Sequence, residues 1–386
     1  MKKRLVAELE RLDKRGLRRT RVTRSAQSFP TIELNGQELV NFAANDYLGL
    51  AAEPRVAEAL AEGARRWGAG AGAAHLLSGH TRAHAEFEEA LADFLGCEAA
   101  LLFSTGYMAN LGAVGAIVDR TGSVVEDKLN HASLIDAAIL SRARLLRYAH
   151  ADVQAAGARL EQAAGTRLLV TDGVFSIDGD LAPLPELTAL AERHDAVFMV
   201  DDAHGFGVLG DGGRGSLEHC GLEPGSVPIH VVTLGKALGV FGAAVAGDRV
   251  LIDTLVQRAR PWIYTTALPP ALASAMTAAL ALLREEGWRR ERVNAHVARF
   301  RAACLGAGFE LMNSETPIQP VLVGESERAL AVSARLGERG FYVPAIRPPT
   351  VPQGSARLRI TLSAAHTTEQ VDALVSALAE SLESDA

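Results

Sequence analysis

Cysteine is scarce in this chain: three in 386 residues, Cys97, Cys220 and Cys304, odd in number and far apart. That pattern excludes a disulfide framework and a thiolate metal site, and fits cytosolic thiols, so a cytoplasmic protein is expected. Excess positive charge is missing too. A formal net charge of −7 argues against nucleic acid or an anionic membrane as partner of the whole molecule. No stretch comes near the ~18 consecutive apolar residues of a membrane span. The basic start Met1-Lys2-Lys3-Arg4 runs into Glu8, Glu10 and Asp13 instead of an apolar core, so no signal peptide is expected. No internal repeat is visible. What is present is ordinary for a soluble globular protein: 48% hydrophobic and 22% charged residues, with 36 glycines spread along the chain. The length allows a large core and a second, smaller one.

Residues 4–17 read as a helix ending near Gly16, followed by Arg18, Arg19, Arg21 and Arg24. Asn35-Gly36 between two apolar runs signals a hairpin, and Pro54 opens a helix. From 99 to 250 short apolar strands alternate with helices. The strands fall at 100–103, 123–126, 144–148, 167–171, 196–200, 229–233 and 243–246, the helices near 107–118, 132–141, 152–163 and 185–194. This alternation predicts an α/β fold with a mainly parallel central sheet and a ligand site at the carboxyl ends of its strands. Residues 249–306 read as mostly helical. After Gly308 the texture becomes that of a smaller α+β unit, with strands at 318–323, 341–346 and 358–362. The expected division is an N-terminal arm and hairpin (1–45), a large domain (46–285) and a small C-terminal domain (286–386).

One stretch carries the chemistry. In Thr233-Leu234-Gly235-Lys236-Ala237-Leu238-Gly239 a buried-type strand ends and presents a lysine at its rim. A P-loop would need Gly at His230 and Ser or Thr at Ala237, so that reading fails. A surface lysine after a strand is the plain alternative. Burial would push the lysine pKa down, and a neutral lysine forms Schiff bases with carbonyls. Phe198-Met199-Val200-Asp201-Asp202-Ala203-His204 ends another strand in an aspartate that needs a cationic partner. Asp against a pyridinium nitrogen and Lys in a Schiff base are the two fixed requirements of a pyridoxal 5′-phosphate site. Gly106-Tyr107 at a helix start suits a phosphate, although Tyr107 also reads as a packed helix aromatic. His131 is either a helix-start histidine or an imidazole for a cofactor ring. Asp172–Asp180 crowds acidic and hydroxyl side chains but lacks the terminal Glu of a calcium loop. His80 and His84 have a zinc-type spacing without the metalloprotease glutamate, and no metal is expected.

These motifs together resemble the α-oxoamine synthases, pyridoxal-phosphate enzymes of fold type I. The resemblance runs from Asn41 onward over Asn45–Leu50, Asp172–Asp180, Val200–Gly205, Thr233–Gly239, Ala345–Thr350 and Ala356–Arg359. It implies that Lys236 holds the cofactor covalently, Asp201 pairs with its ring nitrogen and His131 stacks on the ring. It further implies His204 and Ser176 at the ring hydroxyl, and Thr233, Gly106 and Tyr107 at the phosphate. Thr265 and Thr266 match a segment that reaches the phosphate from a second subunit, so a homodimer with shared sites is implied. Asn45, Arg347 and Thr350 match substrate positions, as does one arginine of the arm, taken as Arg18 over Arg19 and Arg21. The Ile346–Thr350 loop points to the member that condenses L-alanine with pimeloyl-CoA or pimeloyl-acyl carrier protein in biotin synthesis. A sibling that condenses glycine with a short acyl-CoA is the alternative.

Overall fold

The computed structural model describes residues 1–14, 17–18, 21–24 and 27–383. Among the described residues no helix is long and apolar enough to cross a membrane. β1 (Gln27–Ser28), β2 (Thr31–Leu34) and β3 (Gln37–Asn41) form an antiparallel ribbon. Asn35 and Gly36 turn it with φ of 52° and 78°, the left-handed conformations that a two-residue hairpin demands.

The large sheet contains β4 (Ala99–Phe103), β5 (Ser123–Asp127), β6 (Arg144–Tyr148), β7 (Arg167–Asp172), β8 (Val197–Asp201), β9 (Ile229–Thr233) and β10 (Ala243–Gly247). Its order is β4-β10-β9-β8-β7-β5-β6. β10 runs antiparallel to both neighbours and the remaining pairs are parallel, so the expected mainly parallel α/β sheet is present. β4, β5 and β10 are buried at every position, as continuous apolar runs require when helices cover both faces. Alternate residues feed opposite cores, because strand side chains alternate in direction. Leu102, Val232 and Ala244 pack toward the helices at Arg82–Leu95 and Pro270–Glu285. Leu101, Val231 and Val245 pack toward the helix Gly106–Ile117.

The C-terminal part has β11 (Ile318–Gly324), β12 (Phe341–Tyr342), β13 (Ala345–Ile346) and β14 (Ala356–Thr361). The single strand expected over 341–346 is two pieces in different sheets. β12 pairs in parallel with β3, whereas β13 joins β14. Pro344 lies between them and has no N–H for a ladder; its carbonyl accepts the Arg359 N–H at 3.1 Å. β14 is thereby tied to the link between the two small sheets.

Register decides what meets what. Asp172 lies opposite Asp201, Asp201 opposite Val231, and Thr233 opposite Ala243. The carboxyl ends of β4, β5, β7, β8 and β9 therefore gather on one edge, together with the amino end of β10.

Candidate active site

A cavity of about 370 Å³ opens on that edge, lined by Asn45, Gly106, Tyr107, His131, Ser176, Asp201, His204, Thr233 and Lys236, with Asn110, Ser133 and Asp172 among its further walls. Chain segments far apart in sequence meet here because each follows a different strand of one sheet. Thr105 caps the helix Gly106–Ile117 by accepting the Met108 N–H, which leaves the Gly106 end of that helix facing the cavity. A Cβ built on Gly106 would stand 2.8 Å from the Thr233 methyl. Backbone and methyl thus form a close-walled cradle at a positive helix end.

Burial pushes the Lys236 amine from 10.5 down to about 8, against the opposing pull of Asp201 and Asp172. Asp201 is 4% exposed. Its carboxylate accepts the Asn110 side-chain N–H at 2.6 Å and the Ala203 backbone N–H at 3.1 Å. Asp172, one strand over, is pushed well above the usual carboxylate range by burial and then by the charge of Asp201. Its Oδ2 accepts the His131 backbone N–H at 2.7 Å and so fixes where that histidine enters its helix. Burial, then the positive charges of Lys236 and Arg359, hold His204 well below the usual imidazole range. Its Nδ1 lies 2.6 Å from the Tyr47 hydroxyl, which also faces Asn45 Oδ1 at 3.3 Å. Burial raises that phenol to about 12.

Arg359 on β14 contacts two of the lining residues, Ser176 and Asn45. Its guanidinium donates to the Ser176 carbonyl at 2.7 Å, to Thr361 Oγ1 at 2.9 Å and to Asn45 Oδ1 at 3.2 Å. The Tyr107 hydroxyl turns away from the cavity to Asp136, at 2.5 Å. Arg18, Arg347 and Thr350 lie elsewhere, around a second cavity of about 610 Å³ between Leu9, Leu12 and Leu17 and the loop at Pro348 and Pro349. There Arg18 pairs with Asp13 at 2.6 Å. Arg19 lies outside the described residues. Thr265 and Thr266 do not line the main cavity; Thr266 forms a bridge with Ala74 instead. His84 Nε2 donates to the Leu268 carbonyl, 2.7 Å away, and His75 and His80 face each other at 3.1 Å. Among the described residues no group of side chains has the arrangement of a metal site.

Sequence reading missed Asn110, Ser133, Tyr47 and Arg359 as site residues. Asn110 sits four residues from Gly106 on the same helix face, a spacing that signals a shared wall. Arg359 stood inside the Ala356–Arg359 motif without a role, because its contact with Asn45 joins positions 314 residues apart.

The profile of the aminotransferase class I and II family matches residues 37–378. The 8-amino-7-oxononanoate synthase of Stutzerimonas stutzeri (strain A1501) is 60% identical over 351 residues, 91% of this chain and 90% of that protein. The chain belongs to the 8-amino-7-oxononanoate synthases. A second such synthase, from Methylococcus capsulatus, is 58% identical over 95% of each chain. Among solved structures, Sphingomonas wittichii serine palmitoyltransferase aligns with a TM-score of 0.94 at 30% identity, covering 98% of this chain and 96% of that one. The 8-amino-7-oxononanoate synthase of Francisella tularensis aligns with a TM-score of 0.78 at 30% identity, covering 90% and 98%. A serine palmitoyltransferase from S. paucimobilis, likewise 30% identical with a TM-score of 0.93, was solved with bound PLP and myriocin, the alignment covering 98% of this chain and 97% of that one. The family resemblance read from the motifs and the fold type it implied both hold.

The cavity fits the cofactor of these synthases. A lysine near 8, an ionisable aspartate directed by Asn110, and a helix-end cradle that a Cβ at Gly106 would fill meet in one chamber. Those are the groups that a carbonyl, a pyridinium and a phosphate require.

Proposed function

We propose that this chain condenses L-alanine with a pimeloyl thioester, releasing CO₂ and the free thiol carrier and giving 8-amino-7-oxononanoate for biotin synthesis. The observation that carries the reading is Lys236, with its pKa near 8, in one chamber with Asp201. The cofactor is pyridoxal 5′-phosphate, and when bound it withdraws electrons from the substrate α-carbon. Lys236 Nζ holds the cofactor at rest and takes the α-proton as general base, a role its lowered pKa suits near neutral pH. Asp201 offers its carboxylate to the ring nitrogen, and Asn110 directs that carboxylate. His131 covers the ring, and His204 and Ser176 face its hydroxyl. Gly106, Tyr107 and Thr233 receive the phosphate through backbone N–H groups and a hydroxyl.

We assign the alanine carboxylate to Arg359 together with Asn45. Arg359 is the guanidinium whose charge acts on both Lys236 and His204, whereas Arg347 borders the second cavity. Arg347, Thr350 and Arg18 are assigned to the pimeloyl chain and its carrier, with Leu9, Leu12 and Leu17 offering apolar wall. The new C–C bond forms between the alanine α-carbon and the thioester carbonyl. The thiol leaves, the alanine carboxylate departs as CO₂, and Lys236 returns the proton.

We infer a homodimer with shared sites, in the cytoplasm. Exposed Leu76, Leu77 and Tyr264 surround the paired segments at Ala74 and Thr266, and an apolar surface of that kind calls for cover. Thr265 and Thr266 would then serve the partner's phosphate. We take 46–285 as the unit that supplies most of the chamber and 286–386 as the unit that supplies Arg359, with 1–45 as the arm and hairpin that ends in Asn45.

The deciding experiment is an absorbance spectrum of the purified protein with added L-alanine and then pimeloyl-CoA. A visible band that L-alanine perturbs, followed by CO₂ release with the thioester, is expected. A yellow protein that answers glycine and ignores L-alanine would point to the glycine-using sibling. A protein that takes up no pyridoxal phosphate would refute the reading.

A further inference from the structure

Asp201 and His131 are linked by a short chain of buried hydrogen bonds whose direction can be worked out atom by atom. Asp201 as a carboxylate only accepts. Its Oδ2 lies 2.6 Å from Asn110 Nδ2, and the opposite amide orientation would set a carbonyl oxygen against that charge. The charge therefore decides which way Asn110 points. The second hydrogen of the same NH₂ goes to Ser133 Oγ at 2.8 Å. Ser133 has one hydroxyl hydrogen left to give, and the remaining group within reach is His131 Nδ1 at 2.7 Å. The Ser133 backbone N–H also points at that nitrogen, at 3.3 Å.

Asn110 and Ser133 are each 1% exposed, so the donors are not readily replaced by water. Asn110 Oδ1 is buried with no partner in the protein, which marks an amide placed for its NH₂. Two donors converge on His131 Nδ1 and leave no room there for a proton. An imidazolium would require Ser133 to turn its hydrogen away, toward one that Asn110 already supplies.

We propose that Asn110 and Ser133 are a positioning pair, a one-way relay by which the charge of Asp201 selects, of the two neutral tautomers of His131, the one protonated on Nε2. The proposal rests on the reading of Asp201 and His131 as cofactor partners given above. It adds that the two ends of the site are not independent: the residue assigned to the ring nitrogen sets the proton on the residue assigned to the ring face. His131 is left with a single polar atom to offer, an N–H donor.

Nitrogen NMR of the full-length protein with isotope-labelled histidine tests this, with and without pyridoxal phosphate, the His131 signals being assigned through His131→Gln. Expected is Nδ1 in the unprotonated range and Nε2 in the protonated range in both forms. In Ser133→Ala and in Asn110→Ala the two signals should move toward each other as the tautomers mix, and Ser133→Thr should restore the separation. A wild-type His131 with its proton on Nδ1 would overturn the relay, and needs no variant to be seen. Signals unmoved in folded Ser133→Ala would overturn it equally. Failure of the functional reading shows differently, as absent cofactor uptake or absent CO₂ release, because the tautomer is read in the cofactor-free chain as well.

Discussion

Removing the negative charge of Asp201 should make Lys236 more reactive near neutral pH, even as it destroys catalysis. Burial lowers the Lys236 amine from 10.5 to about 8, and Asp201 is the largest influence acting the other way. The drop corresponds to roughly 3 kcal/mol against charging the amine. At pH 7 about one molecule in ten then carries the neutral amine, against roughly one in three thousand for an ordinary lysine. Asp201→Asn removes the stabilising carboxylate while burial remains, so the pKa should fall further. Since the neutral fraction starts at about one tenth, the gain in reactivity at pH 7 can reach but not exceed about ten-fold. The assay is reductive methylation of cofactor-free protein with formaldehyde over a pH series, with Lys236 followed by peptide mass spectrometry. A wild-type midpoint near that of exposed lysines, or a midpoint in Asp201→Asn at or above the wild-type one, would refute the electrostatic argument. The same variant should fail to turn over even when reloaded with pyridoxal phosphate.

Further expectations are as concrete. Gly106→Ala should weaken pyridoxal phosphate binding by about ten-fold, the scale of a ~1–2 kcal/mol overpacking cost, because its Cβ meets the Thr233 methyl. Adding Thr233→Ser, which removes that methyl and keeps the hydroxyl, should recover affinity in a cofactor titration. Arg359→Lys should raise KM for L-alanine by ten-fold or more while the cofactor still binds, because a lysine cannot reproduce three directed contacts at once; steady-state kinetics beside an absorbance spectrum checks both. His150 bridges Asp127 at 3.1 Å and Asp180 at 2.7 Å. Burial alone would lower it, but the two carboxylates raise it to about 10. Its contribution to stability is thus complete below about 6.5 and fades as pH rises through 10. The melting difference between wild type and His150→Gln should be large at pH 6 and nearly gone above pH 10; a difference that grows with pH would contradict the bridge. Mixing inactive Lys236→Ala with an impaired Thr265→Ala/Thr266→Ala variant should recover about a quarter of wild-type activity if sites are shared between subunits, and none if they are not.

Much of this was legible before any coordinates. The strands of the large sheet lie within one residue of their expected bounds, because continuous apolar runs bounded by glycine and polar turns have one stable use, burial between two helical layers. Lys236, Asp201, His131 and His204 were legible for a related reason: a charged group at the rim of a buried strand is costly unless chemistry or a partner explains it. The local chain thus determined the sheet, the strand ends and the residues they present. Tertiary structure alone decided their distances and the direction of their protons. It split 341–346 between two sheets, because the partners β3 and β14 lie some three hundred residues before and a dozen residues after. It brought Arg359 to Asn45 and moved Arg347 to a different cavity. It also joined Asp201 to His131 through Asn110 and Ser133, since hydrogen bonds between side chains depend on ångström placement that no local spacing encodes.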